Sequence, residues 1–406
     1  MNPPPQALAG IGVVEFGSYA AGPHIGKMLA NFGATVIHVE SFARPDGFRM
    51  QYPPYKDRKP GINGGGCFAY FNDSKLGITL DLKNPQGLAL AKKLCAWGDI
   101  VIENMRPGVI DRLGLGFNTL KADHPGLVML STCNMGQTGP RADTPGFGSQ
   151  LTALAGICGL TGERDGLPTV LYGPYIDFIA STLGAVAVLA AMERRRRTGT
   201  GAYIDISQYE AGLMFLAGPL LEYQLTGRIA ERAGNDDPDA APHGAYRCDA
   251  DGWIALSCWS DEEFAALAAA IGRPEWSRDA RFSTLAGRKS AVAAIDAGIS
   301  AWTREREAAA AATLLQRAGV RAHPVNTMAD LFTDPQLLAR RHWRRRRHPV
   351  IGEHAYCGPA CELSETPGEV TAAAPLLGAD NHKVFREFLG LSESDCAAMR
   401  DAGAFG

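Results

Sequence analysis

Residues 11–39 read IGVVEFGSYAAGPHIGKMLANFGATVIHV, and this stretch decides the fold. Its β-branched apolar runs at 11–16 and 35–39 predict two strands, and residues 26–32 between them predict a helix. These three segments form a βαβ unit. The alternation recurs with strands at 78–80, 100–102 and 127–130 and a helix at 85–97. The sequence therefore predicts an α/β fold with a Rossmann-like parallel sheet flanked by helices.

The character of the chain changes after Glu222. Residues 227–242 are loop-like and contain the charged stretch GNDDPDAAP at 234–242, and residues 252–258 then predict a strand. Alanine-rich helical patterns follow at 262–271 and 289–312. We therefore predict that residues 1–222 begin a large Rossmann-like domain, residues 223–325 form a smaller α+β domain, and residues 326–406 return to complete the large domain.

Composition points to a globular protein of the cytoplasm. The chain has 406 residues and a formal net charge of −3, which gives no reason to expect nucleic acid or an anionic membrane as a partner. The N-terminal sequence has prolines where an export signal has basic residues, and nine cysteines are scattered singly. The longest apolar run, 178–192, is shorter than a membrane span. Arginine clusters at 194–197 and 344–347 are interpreted as solvated helix ends.

Asp177 is the leading candidate for chemistry. It ends the stretch PTVLYGPYID at 168–177 and directly precedes the apolar run 178–192, which predicts a helix. An aspartate at a helix start is a favoured N-cap, and a partly desolvated carboxylate is also a usable nucleophile. The sequence contains no GxSxG elbow, no GxxxxGK[ST] loop and no HExxH helix. Position alone leaves both interpretations of Asp177 open.

Eleven short motifs occur in order along nearly the whole chain. They are AGP (21–23), GATVIHVE (33–40), FNDSK (71–75), ITLDLK (78–83), ENMRPG (103–108), DRLG (111–114), GQTGP (136–140), TGTG (198–201), IDIS (204–207), DPQ (334–336) and LGADNH (377–382). Together they resemble the class III CoA-transferase family, which includes formyl-CoA, carnitine and aryl-succinate CoA-transferases and the related α-methylacyl-CoA racemases. Each motif is weak by itself, and their order and spacing make the set specific.

The resemblance implies a CoA-transferase that uses coenzyme A, as an acyl-CoA such as succinyl-CoA, and a small carboxylic or dicarboxylic acid, with no metal or redox cofactor. It makes Asp177 the nucleophile that becomes an aspartyl-CoA thioester, and it implies an interlocked homodimer. The implied CoA contacts are Tyr19, Ala20, Ala21, Arg44, Leu80, Lys83, Asn104, Met105, Arg106, Arg112, Cys133, Asn134 and Met135. The implied substrate contacts are Gly136, Gln137, His243 and Gly244. Backbone amides in 17–22 and near 136–137 are the candidates for stabilising oxyanions.

Departures from the family pattern narrow the reaction. The racemase branch carries a proton-transferring histidine where this chain has Phe147, and a phenyl ring cannot exchange a proton. The oxalate-using branch carries a glutamine where this chain has Ala20. Transferase chemistry is therefore preferred. The alternatives are an acyl-CoA racemase or isomerase, including intramolecular CoA migration, and a non-catalytic CoA-binding subunit of a hetero-oligomer.

Overall fold

The computed structural model describes residues 6–406, which divide into two compact units. The first unit comprises the described residues up to Cys158, Val170–Arg228 and Pro335–Gly406. The second comprises Gly159–Thr169 and Ile229–Asp334. The short segment Gly159–Thr169 therefore lies in the second unit, whereas the sequence-based division assigns it to the large domain.

A six-stranded parallel sheet forms the centre of the first unit, which confirms the predicted α/β class. Its strands are β1 (Gly12–Phe16), β2 (Thr35–Glu40), β3 (Leu76–Thr79), β4 (Ile100–Glu103), β5 (Val128–Cys133) and β6 (Ala202–Ser207). Their order is β3-β2-β1-β4-β5-β6, so the direction of growth reverses between β1 and β4. Open α/β sheets bind ligands at the carboxyl ends of the strands beside such a reversal. The loops after β1 and β4 are therefore the expected site.

Helices cover both faces of this sheet. Up to residue 228 they are α1 (Ala21–Asn31), α2 (Gly47–Met50), α3 (Gly66–Asn72), α4 (Pro85–Trp97), α5 (Val109–Arg112), α6 (Phe117–Asp123), α7 (Gly148–Leu154), α8 (Ile157–Leu160), α9 (Tyr175–Thr198), α10 (Gln208–Leu213) and α11 (Ala217–Thr226), with a 3-10 turn at Lys56–Arg58. Local sequence explains where α4 begins, because the Asn84 side chain caps the helix by accepting from two backbone amides and Pro85 occupies its first position.

The two faces of the sheet belong to separate apolar clusters. On one face Val14 and Val101 pack with Leu94 of α4, and on the other face Val13 packs with Ile25 of α1. Every residue of β1, β4 and β5 is buried. Strands covered on both faces are nearly continuous apolar runs, which is why the sequence pattern identifies them.

The second unit contains an antiparallel sheet of β7 (His243–Arg247), β8 (Trp253–Ser257) and β9 (Arg321–Pro324), in that order. Its helices are α12 (Asp261–Ala270), α13 (Leu285–Ser290), α14 (Val292–Thr303) and α15 (Ala308–Arg317), with 3-10 turns at Asp249–Asp251, Pro274–Arg278 and Asp330–Phe332. The helical pattern predicted over 289–312 is interrupted after Thr303. The cause is Glu307, whose carboxylate accepts from two backbone amides and starts α15 afresh.

The chain returns to the first unit after Asp334. This segment contains α16 (Pro335–Ala339), a hairpin of β10 (Trp343–His348) and β11 (Gly352–Cys357), α17 (Asn381–Lys383), a π-helical turn at Val384–Phe388, and α18 (Glu393–Asp401). The interpretation of residues 344–347 as a helix end is wrong, because these arginines form β10. Arg344 and Arg346 lie on one side of the strand, where both pair with Glu369.

Helix α9 is longer than its sequence pattern suggested. It has 24 residues, and by length and composition alone it could cross a membrane. The argument that the apolar run is too short for a span is therefore wrong. In the folded unit, however, α9 packs against α1, α7, α10, β5 and β6. Buried Ala180, Gly184 and Val188 line that contact, and a Cβ on Gly184 would approach Ile25 to 2.7 Å.

Candidate active site

Asp177 lies inside the first turn of α9 and does not cap it. The residue at the N-cap position is Pro174, which makes no side-chain capping bond, and the Asp177 amide donates to the Pro174 carbonyl at 3.0 Å. The helix starts three residues earlier than the apolar pattern, because Tyr175, Ile176 and Asp177 already have helical geometry. The N-cap interpretation of Asp177 is therefore wrong, and its side chain is free of that role.

Asp177 is half-buried, and its carboxylate is incompletely bonded. Its Oδ2 atom is buried and has no hydrogen-bond partner among the described residues. A Cβ built on Gly148, the first residue of α7, would lie 2.0 Å from Oδ2, so the glycine backbone covers this oxygen at close range. Burial raises the pKa of Asp177 to about 7. A carboxylate with this combination of burial and missing partners is typical of functional sites.

Ser181 connects the Asp177 turn to the loop after β1. Its hydroxyl donates to the carbonyl of Asp177 at 2.6 Å and to the carbonyl of Ala21 at 2.9 Å. Ser181 is four residues after Asp177, so both lie on the same face of α9. Ser181 was not predicted from the sequence, although its spacing of four residues from Asp177 is the signal that marks it. The bond places the predicted CoA contacts Ala20 and Ala21 beside the candidate nucleophile.

Asn104 fastens the loops after β1 and β4 together. Its Oδ1 accepts from the Ser18 amide at 2.9 Å, and its Nδ2 donates to the Ser18 carbonyl at 2.8 Å. Cβ atoms built on Gly17 and Gly22 would both lie within 3.4 Å of the Asn104 side chain. Three predicted CoA contacts, Ala20, Ala21 and Asn104, are thus brought to one place at the sheet reversal.

Tyr19 adopts a left-handed backbone conformation, with φ of 62°, which is uncommon for a residue other than glycine. Its amide donates to Asp46 Oδ1 at 3.1 Å, and its hydroxyl donates to Gln51 Oε1 at 2.6 Å. The ring meets Phe48, Tyr52 and Phe147 edge-on at centroid distances of 5.5, 6.1 and 5.9 Å. An aromatic wall therefore extends from the loop after β1 to Phe147, next to Gly148.

Three of the amides predicted to stabilise oxyanions already have acceptors. Ser18 donates to Asn104, Tyr19 donates to Asp46, and Gln137 donates to both oxygens of Asp205 at 3.0 Å. Prediction of these three amides as oxyanion donors is therefore wrong, because neighbouring carboxylate and amide side chains occupy them. The amides of Ala21 and Gly22 differ, since they lie in the first turn of α1, where a helix leaves its N–H groups without intrahelical partners.

The other predicted CoA contacts differ in exposure. Lys83, Arg106 and Arg112 are exposed on loops or helix ends of the first unit, and Arg44 is exposed after β2. Leu80 is 1% exposed and packs in the core, so only its backbone is available to a ligand. Met105 is partly buried against the same cluster, and Cys133 is buried at the end of β5.

The loop after β5 contains Asn134, Met135, Gly136 and Gln137. Met135 packs with Leu151 of α7 and with Ile176, the residue before Asp177. Gly136 has φ of 85°, which favours glycine, and this turn directs the Gln137 amide to Asp205 on β6. The structure therefore brings the predicted contacts of this loop to the helix turn of Asp177.

His243 and Gly244 lie in the second unit. They begin β7, directly after the loop-like segment predicted over residues 227–242. The Nδ1 atom of His243 is 2.6 Å from the Asn235 carbonyl, and its ring meets Trp259 edge-on at 6.1 Å. The imidazole is therefore held by contacts within the second unit, and Nε2 is the ring nitrogen that does not contact the Asn235 carbonyl.

A buried group of charges, which we call the β1–β2 ion network, was not predicted from the sequence. It consists of Glu15, Lys27, His38, Glu40, Asp46, Arg49, Asp73 and Lys75, all 7% exposed or less. Lys75 Nζ lies 2.8 Å from Glu15 Oε1, and Arg49 Nη2 lies 2.7 Å from Glu40 Oε2. The sequence signal for it is Glu15 within the apolar strand β1, together with His38 and Glu40 at alternate positions of β2.

Glu103 is another buried carboxylate, at the end of β4. It lies in register with Ser131 on β5, which lies in register with Asp205 on β6. Its Oε2 accepts from the Met105 amide at 2.8 Å, while Oε1 is buried without a partner in residues 6–406. Burial raises the pKa of Glu103 to about 7. Within the same range, no three histidine, cysteine, aspartate or glutamate side chains are grouped as metal ligands.

Comparison with known proteins places this arrangement in a family. The chain matches CoA-transferase family III over residues 8–381. It is 37% identical over 398 residues to a succinyl-CoA–D-citramalate CoA-transferase of Chloroflexus aurantiacus, covering 98% of each chain. It is 33% identical to the alpha subunit of a succinyl-CoA–L-malate CoA-transferase of Chloroflexus aurantiacus, covering 97% of this chain and 91% of that protein.

Comparison with a solved structure supports the same family and fold. The crystal structure of a CAIB/BAIF family protein from Brucella suis matches with a TM-score of 0.87 at 30% sequence identity, over 94% of this chain and 99% of the other. The resemblance inferred from the sequence motifs is therefore confirmed in family and fold. The chain belongs to CoA-transferase family III and is an enzyme of that family.

Proposed function

We propose that this protein transfers CoA from succinyl-CoA to a dicarboxylic acid, with Asp177 as the nucleophile. The observation that carries the proposal is the Asp177 carboxylate, which is buried at the sheet reversal with Oδ2 unpartnered against Gly148. Two relatives that align over nearly all of this chain are named for succinyl-CoA as donor and for citramalate or malate as acceptor. Both acceptors are four-carbon-backbone dicarboxylic acids, so we propose that class for this chain.

The reaction proceeds in two exchanges at one side chain. An Asp177 oxygen attacks the thioester carbonyl carbon of the donor, the C–S bond breaks, and CoA departs as the thiolate, so that a mixed anhydride of Asp177 and the donor acid is formed. The thiolate then attacks the Asp177 carbonyl carbon and releases the donor acid as its carboxylate. The resulting aspartyl-CoA thioester passes CoA to the acceptor by the same steps in reverse. Atoms and electrons balance without an oxidant or a metal.

The surroundings of Asp177 support this chemistry. Water weakens a carboxylate nucleophile by hydrogen bonding, and the Gly148 backbone keeps water from Oδ2. The raised pKa means that the carboxylate is fully ionised only above about pH 7. The amides of Ala21 and Gly22 are the donors that we assign to the developing oxyanion, and one such donor contributes about 2.7–4 kcal/mol.

For CoA we retain the predicted set of contacts, with two adjustments. Leu80 contributes backbone only, and Asn134 is reassigned in the next subsection. The exposed cations Arg44, Lys83, Arg106 and Arg112 are assigned to the phosphates, which bind well to guanidinium and ammonium groups. His243, through Nε2, remains our candidate for the second carboxylate of the acceptor.

The racemase alternative is disfavoured by Phe147. The structure puts its ring at the end of the aromatic wall, one residue from the glycine that covers Asp177. A phenyl ring has no proton to exchange, so deprotonation at the α-carbon would lack one of its two partners. If the enzyme did racemise acyl-CoA, deuterium from heavy water would enter the α-carbon. We expect none.

The test combines products with a trapped intermediate. Purified protein is mixed with succinyl-CoA and citramalate, malate, glutarate, oxalate or acetate, and new thioesters are identified by mass spectrometry. We expect thioesters of the dicarboxylic acids, and a CoA adduct on Asp177 when the acceptor is omitted. Asp177→Asn should lower turnover at least about a thousandfold, whereas Asp123→Asn, on the exposed surface of α6, should not.

Each alternative predicts a different result. Turnover by Asp177→Asn close to that of the parent would rule out the nucleophile. A CoA-binding protein that forms no adduct and no product would be the non-catalytic subunit. New thioesters from monocarboxylic acids alone would overturn the acceptor class while leaving the transferase intact.

We also propose that the enzyme is a homodimer, interlocked as the family resemblance implies. Helix α11 has no buried residue although it contains three leucines, and Leu225 is 83% exposed. Met214 and Phe215, just before it, are each 67% exposed. An apolar surface of this extent favours a partner, and a second copy is the occupant we assign. Light scattering should give twice the 43.2 kDa of the chain, and Leu221→Glu with Leu225→Glu should reduce it.

A further inference from the structure

The backbone that covers the Asp177 carboxylate, which we call the cover, belongs to a segment outside α9. This segment, residues 144–148, leads into α7, and its last residue is the glycine whose backbone closes on Asp177 Oδ2. Helix α7 itself packs against α9, with Leu151 beside Ile176, and residues 144–147 precede this helix. Whatever anchors residues 144–148 therefore sets how well water is excluded from the candidate nucleophile.

Asn134 is that anchor. Its Nδ2 donates to the carbonyl of Gly146 at 3.1 Å and to the carbonyl of Thr144 at 3.4 Å. Gln150 adds a second, weaker hydrogen bond to the segment, because its Oε1 accepts from the Phe147 amide at 3.1 Å in an exposed position. Asn134 thus bonds to the segment from outside α7, across ten to twelve residues of sequence.

Asn134 is itself held in place from three sides. Its carbonyl accepts from the Tyr209 amide at 2.9 Å. Met135, the next residue, packs with Leu151 and Ile176. Gln137 donates its amide to both carboxylate oxygens of Asp205 at 3.0 Å. Because these contacts fix Asn134, its side chain can hold residues 144–148 in a defined position without a bound ligand.

We propose that Asn134 is a positioning residue that holds residues 144–148 over the Asp177 carboxylate, and that it acts on the nucleophile through this segment. The proposal rests on the proposed role of Asp177. It replaces the prediction that Asn134 binds CoA, because both of the recorded Nδ2 bonds go to backbone carbonyls of the cover.

The cover has a measurable effect on the carboxylate. Burial raises the pKa of Asp177 to about 7, so admitting water should lower it toward the value of an exposed aspartate. No charged neighbour contributes to that rise. The titratable groups on the elements packed against α9 are His24 and Lys27 on α1, Cys133 on β5, Tyr203 and Asp205 on β6, and Tyr209 and Glu210 on α10.

The experiment measures kcat/KM for succinyl-CoA between pH 5 and pH 9. Because the pKa of Glu103 is also raised to about 7, all variants carry Glu103→Gln, which removes that titration. The parent should lose activity as pH falls through about 7. Asn134→Ala should move this acid limb down by about one pH unit or more, reduce kcat at pH 8 about tenfold, and change KM less than about threefold. Gln150→Ala should shift the limb in the same direction by less.

Two controls separate the possible outcomes. Ser392→Ala removes the N-cap of α18, a comparable loss of stability of about 1 kcal/mol, and should leave the limb in place. An unmoved limb in Asn134→Ala overturns the proposal, and a large rise in KM with an unmoved limb restores the CoA-contact prediction. Full activity of Asp177→Asn would instead refute the proposed function, so the two failures are distinguishable.

Discussion

The β1–β2 ion network is buried in the first unit, whereas Asp177 is half-buried there with its Oδ2 atom covered, and the two hold charge in opposite ways. Glu15 receives three hydrogen bonds, from His38 at 2.6 Å and from Lys75 at 2.8 and 3.0 Å. Burial alone would raise the pKa of Glu15, but Lys75 and His38 outweigh it and keep the pKa below its usual value. Asp177 has the burial without the partners, and its pKa rises to about 7. The hydrogen-bond and ion-pair partners of a buried carboxylate, rather than its depth of burial, decide whether it is structural or reactive.

Breaking the network should produce the largest effect. Glu15→Gln leaves the Lys75 ammonium buried without its counter-charge, and such a loss destabilises by roughly 3–5 kcal/mol. Urea unfolding at pH 7.5 measures this change. The double variant Glu15→Met with Lys75→Met removes both charges and should recover much of the loss. A Glu15→Gln protein within about 1 kcal/mol of the parent would show that the network is not a paired unit.

Crowding the unpaired carboxylate should affect catalysis and leave binding intact. In Gly148→Ala the new Cβ would lie 2.0 Å from Asp177 Oδ2, so the carboxylate must move. We expect kcat to fall about a hundredfold, equivalent to about 2.7 kcal/mol, with little change in KM. Steady-state kinetics with succinyl-CoA test this. Gly61→Ala is the matched control, because no atom lies within 4 Å of its new Cβ, and equal kinetics for the two variants would contradict the close approach.

Removing the charge of Asp177 should stabilise the protein. The folded pKa of about 7 lies above the unfolded value near 3.8, so ionisation in the folded state is penalised increasingly from about pH 4 to pH 7. Asp177→Asn escapes that penalty, and its advantage in unfolding free energy should grow by about 2 kcal/mol between pH 5 and pH 8. Urea unfolding at both pH values gives the difference. A gain that shrinks with rising pH would contradict a raised pKa.

Glu103 is an intermediate case and should give the smallest effect. It is buried, and the Met105 amide is its one recorded backbone donor, so it lies between Glu15 and Asp177 in the number of its partners. Its pKa is also raised to about 7, so Glu103→Gln should likewise gain stability as pH rises from 5 to 8. We expect a gain of about 2 kcal/mol, slightly below that of Asp177→Asn, because the ordinary pKa of a glutamate, 4.5, lies closer to 7 than the 3.8 of an aspartate. The same pair of urea titrations checks it, and a gain larger than that of Asp177→Asn would reverse the order of the two sites.

The sequence predicts the parallel sheet well because its strands are buried on both faces and are therefore continuous apolar runs, as at Val13 and Val14. It predicts the nucleophilic role of Asp177 only through the family motifs, since the local pattern favours an N-cap. The sequence does not predict which backbone amides remain available to bind an oxyanion, because the side chains that accept from the other amides lie far away in the sequence. Asn104 is 86 residues from Ser18, and Asp205 is 68 residues from Gln137. Gly148 is missed for the same reason, since its partner lies on α9.

The edge of the sheet at β3 is closed from far along the chain. Asp380 accepts from the Gly77 amide at 2.8 Å through its side chain and donates its own amide to the Gly77 carbonyl. The Asn381 side chain accepts from the Thr79 amide at 2.8 Å and donates to the Thr79 hydroxyl at 2.9 Å. Asp380 follows Gly77 by 303 residues. An open strand edge invites pairing with other chains. During synthesis on the ribosome, β3 therefore emerges about three hundred residues before its cover, and the nascent chain depends on other protection until then.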